Sequence, residues 1–566
     1  MRCSIDLPPQ YFLQNLDKTL NINYIQFKKM KKITFYCALC GLLFVQSLTA
    51  QPIEVTENNA VTTTESGKVR GYTHNGIYTY KGIPYAQAER FMSPTKAKSW
   101  TGVRSSLTYG AVCPLLDPTT SVQDEPEFVF NHDWGYPNEN CLVLNVWTPQ
   151  INDGKKRPVL FWIHGGGFTA GSAQELPSYD GENLSKKGDV VVVSINHRLN
   201  ILGFLDLSAY GEKYKNSANL SILDMQVALE WVKNNINNFG GDPNNVTIFG
   251  QSGGGAKVNT LMAMPAAQGL FHKAINQSGS FRTAMLEKFE TQDIGAEVLK
   301  ALNLSPNQVD SLQKIPLTAL SAAGKKALAA VAEKMRIAEK PVIGFGLSWG
   351  PSHDGEVLPY QLFSPAAFDL SKNIPLLIGT TKNEFFATAF SGLSITTTEQ
   401  AQDFIKKKYA DKADAYIAAV KKAYPLDTKP SDLIDVDAMF RPGAVIQANQ
   451  KSAVVGGAPV YMYLFTWQSP TVGGKYKAVH CMELPFVFNN IARCEEMTGG
   501  KKEAYVLADK VSQAWINFAR TGNPNHKGLP NWTPYTAQNT ATMWLDNKCE
   551  VKPQHDKALF ELLAPK

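Results

Sequence analysis

Residues 159–163, Val-Leu-Phe-Trp-Ile, form a continuous apolar run that ends in a glycine loop. Residues 189–195 form a second run, rich in β-branched side chains. Short runs without polar alternation suit strands buried on both faces of a parallel sheet. The period then changes. Leu220, Leu223, Val227, Trp231 and Ile236 recur at spacings of three to five, which predicts a helix. Asp224 lies early in that pattern, near the positive end of the helix dipole, and Gly240-Gly241 is the expected stop. Residues 246–249 predict the next strand, which runs straight into Gly250-Gln251-Ser252-Gly253. Further strands are expected at 375–380, at 460–467 and near Met543. The stretches at about 285–340 and 398–424 are expected to be helical insertions around the sheet, the first of them rich in Ala, Leu and Lys. The alternation gives an α/β class with a large, mostly parallel central sheet.

The N-terminal residues change this picture at one end only. Lys28 to Lys32 form a basic segment, Ile33 to Val45 an apolar one, and Leu48-Thr49-Ala50 a cleavage site before Gln51. This is the pattern of a cleaved export signal, with Met30 a candidate start. Its apolar part is too short for a span of about 20 residues, so no stable membrane insertion is expected after cleavage. Leu39 precedes Cys40 where a lipidation site wants a small residue, which argues against a lipid anchor. Residues 1–50 are therefore expected to be removed and 51–566 to form one domain. The expected location is periplasmic or secreted. The formal net charge of +6 falls to +2 without residues 1–50, which gives no electrostatic case for nucleic acid. Five cysteines remain after cleavage, and none has the Cys-x-x-Cys spacing of a zinc site. No metal or organic cofactor is implied.

The chemistry centres on Ser252. Gly250-Gln251-Ser252-Gly253-Gly254 follows a strand and precedes a helical stretch, the context that G-x-S-x-G requires of an exposed nucleophile. A serine that attacks an acyl carbon creates an oxyanion, which preorganised N–H donors stabilise. His164-Gly165-Gly166-Gly167-Phe168 follows a buried-type strand and is the HGGG-type loop that accompanies such an elbow. The amides of Gly166, Gly167 and Gly253 are the candidate donors. Serine needs a base, and the base needs a carboxylate to fix its tautomer. Of the downstream histidines, His272 is too close behind the elbow, and His526 and His555 have polar, tail-like surroundings. His480 lies in a loop after the strand at 460–467, where a base belongs. For the acid, Glu384 and Asp354 both remain open on spacing.

Taken together, these motifs resemble the type-B carboxylesterase family, which includes cholinesterases and bacterial para-nitrobenzyl esterases. The resemblance spans residues 55–546 and rests on landmarks in order. Lys81-Gly82-Ile83-Pro84-Tyr85-Ala86 is similar to an early family signature, and Asn138-Glu139-Asn140-Cys141-Leu142-Val143-Leu144-Asn145-Val146 to a second. The glycine loop and elbow follow, with Trp231-Val232-Lys233-Asn234-Asn235-Ile236 and Phe239-Gly240-Gly241-Asp242-Pro243. The resemblance implies the α/β-hydrolase fold and selects Glu384, within Gly379-Thr380-Thr381-Lys382-Asn383-Glu384, as the acid. It implies His480, within Val479-His480-Cys481-Met482-Glu483-Leu484-Pro485, as the base. It also implies a Cys113–Cys141 disulfide. A Cys481–Cys494 pair is a further expectation that the resemblance does not supply.

The implied activity is hydrolysis of small or medium uncharged carboxylic esters through an acyl-enzyme. The family usually has Glu or Gln before the nucleophile and Ala after it; here Gln251 and Gly253 stand. Gln251 argues against a cationic choline ester. Trp134, Phe168, Trp349 and Phe385 are candidates to line an apolar gorge. A non-catalytic binding module is the alternative class, and retention of every catalytic part argues against it. Amide or thioester hydrolysis would use the same triad.

Overall fold

The computed structural model describes residues 52–116, 124–340 and 346–563, so the expected export signal lies outside the described residues. The central sheet has eleven strands. In chain order they are β1 (Tyr72–His74), β2 (Ile77–Pro84), β3 (Val143–Thr148), β4 (Arg157–Ile163), β5 (Val191–Ile195) and β6 (Gly241–Gln251). They continue as β7 (Lys273–Gln277), β8 (Leu376–Thr381), β9 (Val460–Phe465), β10 (Thr542–Leu545) and β11 (Glu550–Lys552). Across the sheet the order is β1-β2-β3-β5-β4-β6-β7-β8-β9-β10-β11. The run from β5 to β10 is parallel, and the outer strands pair antiparallel at both edges. This is the large mostly parallel sheet of the α/β-hydrolase fold.

Burial follows the expected logic. Every residue of β4 and β5 is buried. Side chains alternate between faces along β4. Val159, Phe161 and Ile163 join one core cluster, while Leu160 and Trp162 join the other. The helices α1 (Leu220–Asn235) and α2 (Gly253–Met262) pack with the first cluster. The expected insertion at 285–340 contains α3 (Lys288–Ala301) and α4 (Leu317–Ile337), and both also bury their apolar stripes there. The insertion at 398–424 contains α5 (Thr398–Tyr409) and α6 (Ala413–Ala423), which build a separate small core around Ile405, Tyr416 and Val420. α7 (Phe440–Ser452) precedes β9 in the chain and flanks β8, and α8 (Lys502–Thr521) follows β9, with its Trp515 buried in the second cluster.

Two local readings differ from the sequence expectation. Asp224 does not serve the helix dipole. It is fully buried in the second turn of α1 and holds Arg198 through Nη2 at 2.6 Å and Nε at 2.9 Å, and the Arg198 backbone N–H at 3.0 Å. Breaking a buried pair of this kind strands a charge and costs about 3–5 kcal/mol. The implied Cys113–Cys141 disulfide is not formed. Both are free, buried thiols in contact, and the hydrogen bond from Cys113, ahead of burial, pushes the Cys141 thiol well up. The Cys113 sulfur also accepts the Leu199 N–H at 3.2 Å. Cys481 and Cys494 are likewise unbonded thiols.

Candidate active site

Ser252 stands in the turn between β6 and α2, with φ 57° and ψ −124°. A non-glycine residue there is strained by roughly 1–3 kcal/mol and persists only when its surroundings hold it. The Ser252 N–H donates to the Gln277 carbonyl at 2.7 Å, which ties the turn to the end of β7. The flanking glycines are sterically required. A Cβ on Gly250 would lie 2.5 Å from Gly254, and one on Gly254 would lie 2.0 Å from the Ile163 carbonyl.

Opposite the elbow, the chain leaving β4 forms the loop His164–Phe168. Gly166 and Gly167 both have positive φ, 78° and 62°. A Cβ on Gly253 would meet the backbone of Gly167 at 2.2–2.4 Å. The loop and the helix start are thus in backbone contact, and an alanine at 253 would force one of them to shift. Among the described residues, the amides of Gly166, Gly167 and Gly253 donate to no protein acceptor. Unspent N–H groups near a serine are the kind of donors that an oxyanion would require.

The floor of this loop holds a residue that sequence reasoning missed. Lys257, on α2, is fully buried and donates to the carbonyls of His164 at 3.1 Å and Gly165 at 3.4 Å. Burial pushes its ammonium down to about 7, with Glu175 pulling the other way. The stacked pair His164 and His197 lies alongside, ring centroids 4.7 Å apart. Burial first, and Lys257 second, push both imidazoles well down.

His480 and Glu384 meet as expected. His480 Nδ1 hydrogen-bonds Glu384 Oε2. The other carboxylate oxygen accepts from Ser278 Oγ at 2.6 Å and the Thr381 N–H at 2.9 Å. The two loops are also joined along the backbone, His480 N–H to the Glu384 carbonyl at 3.1 Å. With Nδ1 committed to the carboxylate, Nε2 is the accepting nitrogen. The Gln251 amide donates to it at 3.2 Å, and the Gln251 oxygen accepts from the Cys481 thiol at 3.3 Å. Phe385 and Phe440 pack against the imidazole, centroids at 4.3 and 5.0 Å. Two further carboxyls surround Glu384. Burial, then the charge of Glu384, pushes Asp437 and Glu483 up to about 7.

Ser252, His480 and the three-glycine loop all face one cavity of about 650 Å³. Trp134, Phe168 and Phe385 line it, as the sequence suggested, whereas Trp349 is a buried core residue outside the lining. Arg282, Glu127 and Glu175 also reach the cavity. The rejected candidates have other partners. Asp354 accepts the N–H groups of Glu356 and Leu358, closing its own loop. His353 pairs with Glu287, His272 accepts from Val246, His526 bonds the Lys510 carbonyl, and His555 packs on Trp544.

Known proteins resemble this chain over nearly its whole described length. The model of the "Carboxylesterase family" matches residues 58–561. The chain is similar to the para-nitrobenzyl esterase of Bacillus subtilis (strain 168), 37% identical, covering 88% of this chain and 97% of the relative. It is also similar to the phenmedipham hydrolase of Pseudarthrobacter oxydans, 32% identical, covering 85% and 94%. Among solved structures, an esterase from Clostridium hathewayi, described as able to hydrolyse aliphatic aromatic polyesters, superposes with TM-score 0.78 at 36% identity, covering 91% of this chain and 99% of that one. A para-nitrobenzyl esterase superposes with TM-score 0.71 at 34% identity, covering 90% and 100%. A match of this extent leaves one conclusion: the chain belongs to the carboxylesterase family and is an ester-hydrolysing enzyme.

Proposed function

We propose that the enzyme hydrolyses small or medium carboxylic esters through an acyl-enzyme on Ser252. The observation that supports this best is the convergence on one cavity of the strained serine, the His480–Glu384 pair and the Gly166, Gly167 and Gly253 amides. Ser252 Oγ attacks the ester carbonyl carbon while His480 Nε2 takes its proton. The carbonyl π electrons move to oxygen, and the three amides hold that oxyanion. Collapse of the tetrahedral intermediate expels the alkoxide, which leaves as the alcohol with the proton from His480. Water then adds to the acyl carbon with His480 as base, and the acid departs as Ser252 Oγ regains its proton. Glu384 keeps Nδ1 protonated and offsets the imidazolium charge. The Gln251 amide must share or yield Nε2 when the serine engages it. In apo enzymes such contacts commonly tighten only with substrate bound.

The enzyme acts in the periplasm or outside the cell. The support is the basic and apolar signal pattern ending at Ala50. In such an oxidising compartment the touching thiols of Cys113 and Cys141 would close the bridge that the family resemblance implies.

Ser252→Ala removes hydrolysis of p-nitrophenyl butyrate by at least about 10³-fold, and Glu384→Gln lowers kcat by about 10⁴-fold; full activity in Ser252→Ala would sink the mechanism. Gly253→Ala drives a methyl into the Gly167 backbone and lowers kcat by about 10²-fold with the fold retained by circular dichroism. Lys257→Met loosens the loop carbonyls and lowers kcat about 10-fold or more. Its stability effect has a definite sign. Between about pH 7 and the ordinary value near 10.5, the unfolded chain binds this proton and the folded protein does not, so wild-type stability rises with pH there. The Tm of Lys257→Met relative to wild type therefore improves as the pH is lowered from 10 to 7. Finally, fractionation of the native host finds the protein outside the cytoplasm, beginning at Gln51 and titrating two fewer thiols than the same protein made in a reducing cytosol.

A further inference from the structure

The cavity that holds Ser252 is lined by a guanidinium that pairs with no carboxylate among the described residues. Arg282 lies five residues beyond the end of β7 and faces the cavity that holds Ser252. Its side chain makes one hydrogen bond among the described residues, from Nη2 to the neutral hydroxyl of Ser348. Its guanidinium carbon stands 5.6 Å from the ring centroid of Phe168, the last residue of the oxyanion loop. Gly350 leaves room for it, since a Cβ there would lie 2.5 Å from Arg282 Nη1.

The fully buried arginines of this molecule are paired with carboxylates, whereas Arg282 is half-buried at the cavity wall. Arg157 has Asp153 and Asp189, Arg198 has Asp224, and Arg441 has Asp556. Arg282 has no carboxylate partner among the described residues. The two carboxylates that line the cavity are turned elsewhere. Glu127 bonds His132 at 2.9 Å, and Glu175 lies 4.0 Å from the other nitrogen of the same ring. Desolvation pushes the Arg282 guanidinium down, with no neighbouring charge to oppose it. Placing a cation this way is costly unless an anion arrives to pair with it. A planar fork with most of its five donors unspent among the described residues, set over an aromatic ring, is suited to bidentate binding of a carboxylate.

We propose that Arg282 is a specificity-determining residue that binds a carboxylate carried by the ester, so that the favoured substrates are esters bearing a second, free acid group. The proposal rests on the reading that the Ser252 cavity is the ester site, and it departs from the expectation of an uncharged substrate. The substrate carboxylate replaces the missing counter-ion, and its distance from the scissile carbonyl sets which esters are aligned with Ser252. The carboxylate can sit on the acid half or on the alcohol half of the ester, and two matched pairs of probes separate these.

The test compares kcat/KM for mono-p-nitrophenyl adipate with p-nitrophenyl hexanoate, and for 4-(butyryloxy)benzoate with phenyl butyrate. Wild type is expected to favour the charged member by about 10-fold or more in at least one pair, and that pair identifies the half that carries the anion. In Arg282→Gln the charged-to-neutral ratio within the same pair falls by at least about 10-fold, chiefly through KM, and Arg282→Lys retains part of it. Because each ratio is taken on one protein sample, a general loss of activity in a variant does not affect it. Neutral preference in both pairs, or a ratio unchanged by Arg282→Gln, overturns the proposal while hydrolysis of the neutral esters still supports the Ser252 reading. Failure of wild type to hydrolyse any of the four would overturn both.

Discussion

The backbone of Ser252 occupies a conformation that it would not adopt alone, and the parallel register of four strands holds it there. Gln251, at the end of β6, pairs with Gln277 of β7; Gln277 pairs with Gly379 of β8; Gly379 pairs with Tyr463 of β9. This single row across the sheet sets the height of everything beyond it. The Gln277 carbonyl takes the Ser252 N–H, Ser278 hydrogen-bonds Glu384, and the chain leaving β8 bends at Glu384 to meet the loop that carries His480. On the other side Ile163 of β4 pairs with Gly250, which delivers the glycine loop to the same level. A slip of one residue in any pairing would turn alternate side chains to the opposite face and separate Ser252 from His480.

Charge in the site is organised by what burial denies it. Glu384 is fully buried but receives donors from Ser278, Thr381 and His480. Its carboxyl neighbours Asp437 and Glu483, in the same enclosed region, are pushed up to about 7. Lys257, under the oxyanion loop, is pushed down to about 7. The molecule therefore keeps few full charges next to the reacting atoms, and those it keeps are held by hydrogen bonds that need not reorganise during reaction. Arg282 is the exception, a cation whose partners among the described residues are the Ser348 hydroxyl and the Phe168 ring, at the wall of the Ser252 cavity.

Much of this was legible in the sequence because the central strands are apolar runs. β4, β5, β6, β8, β9 and β10 all appear where β-branched and aromatic residues cluster. β7 did not, because Lys273, Asn276 and Gln277 make it read as polar. Those side chains are satisfied by residues remote in sequence: Asn276 by Asn259 and Gln447, and Gln277 by Glu483 and Trp515. The elbow, glycine loop and histidine loop were readable as local motifs. The choice of Glu384 over Asp354 needed the family resemblance, since both stand in loops and differ only in what the fold brings near them. Lys257 and Arg282 gave no local signal. A lysine on a helix and an arginine after a strand are ordinarily solvated, and only the tertiary packing shows one buried and the other aimed into the cavity. The covalent state of Cys113 and Cys141 depends on the redox compartment as well as on their contact, so sequence could suggest the pair but not the bond.

The most direct measurement is mass-spectrometric mapping of the adduct formed with a fluorophosphonate, compared between wild type and His480→Ala. One equivalent of adduct on Ser252, formed at a rate that falls by orders of magnitude in His480→Ala, is the predicted result. An adduct on another residue accompanied by loss of activity, or labelling of Ser252 at an unchanged rate in His480→Ala, would contradict the assignment of the serine and its base.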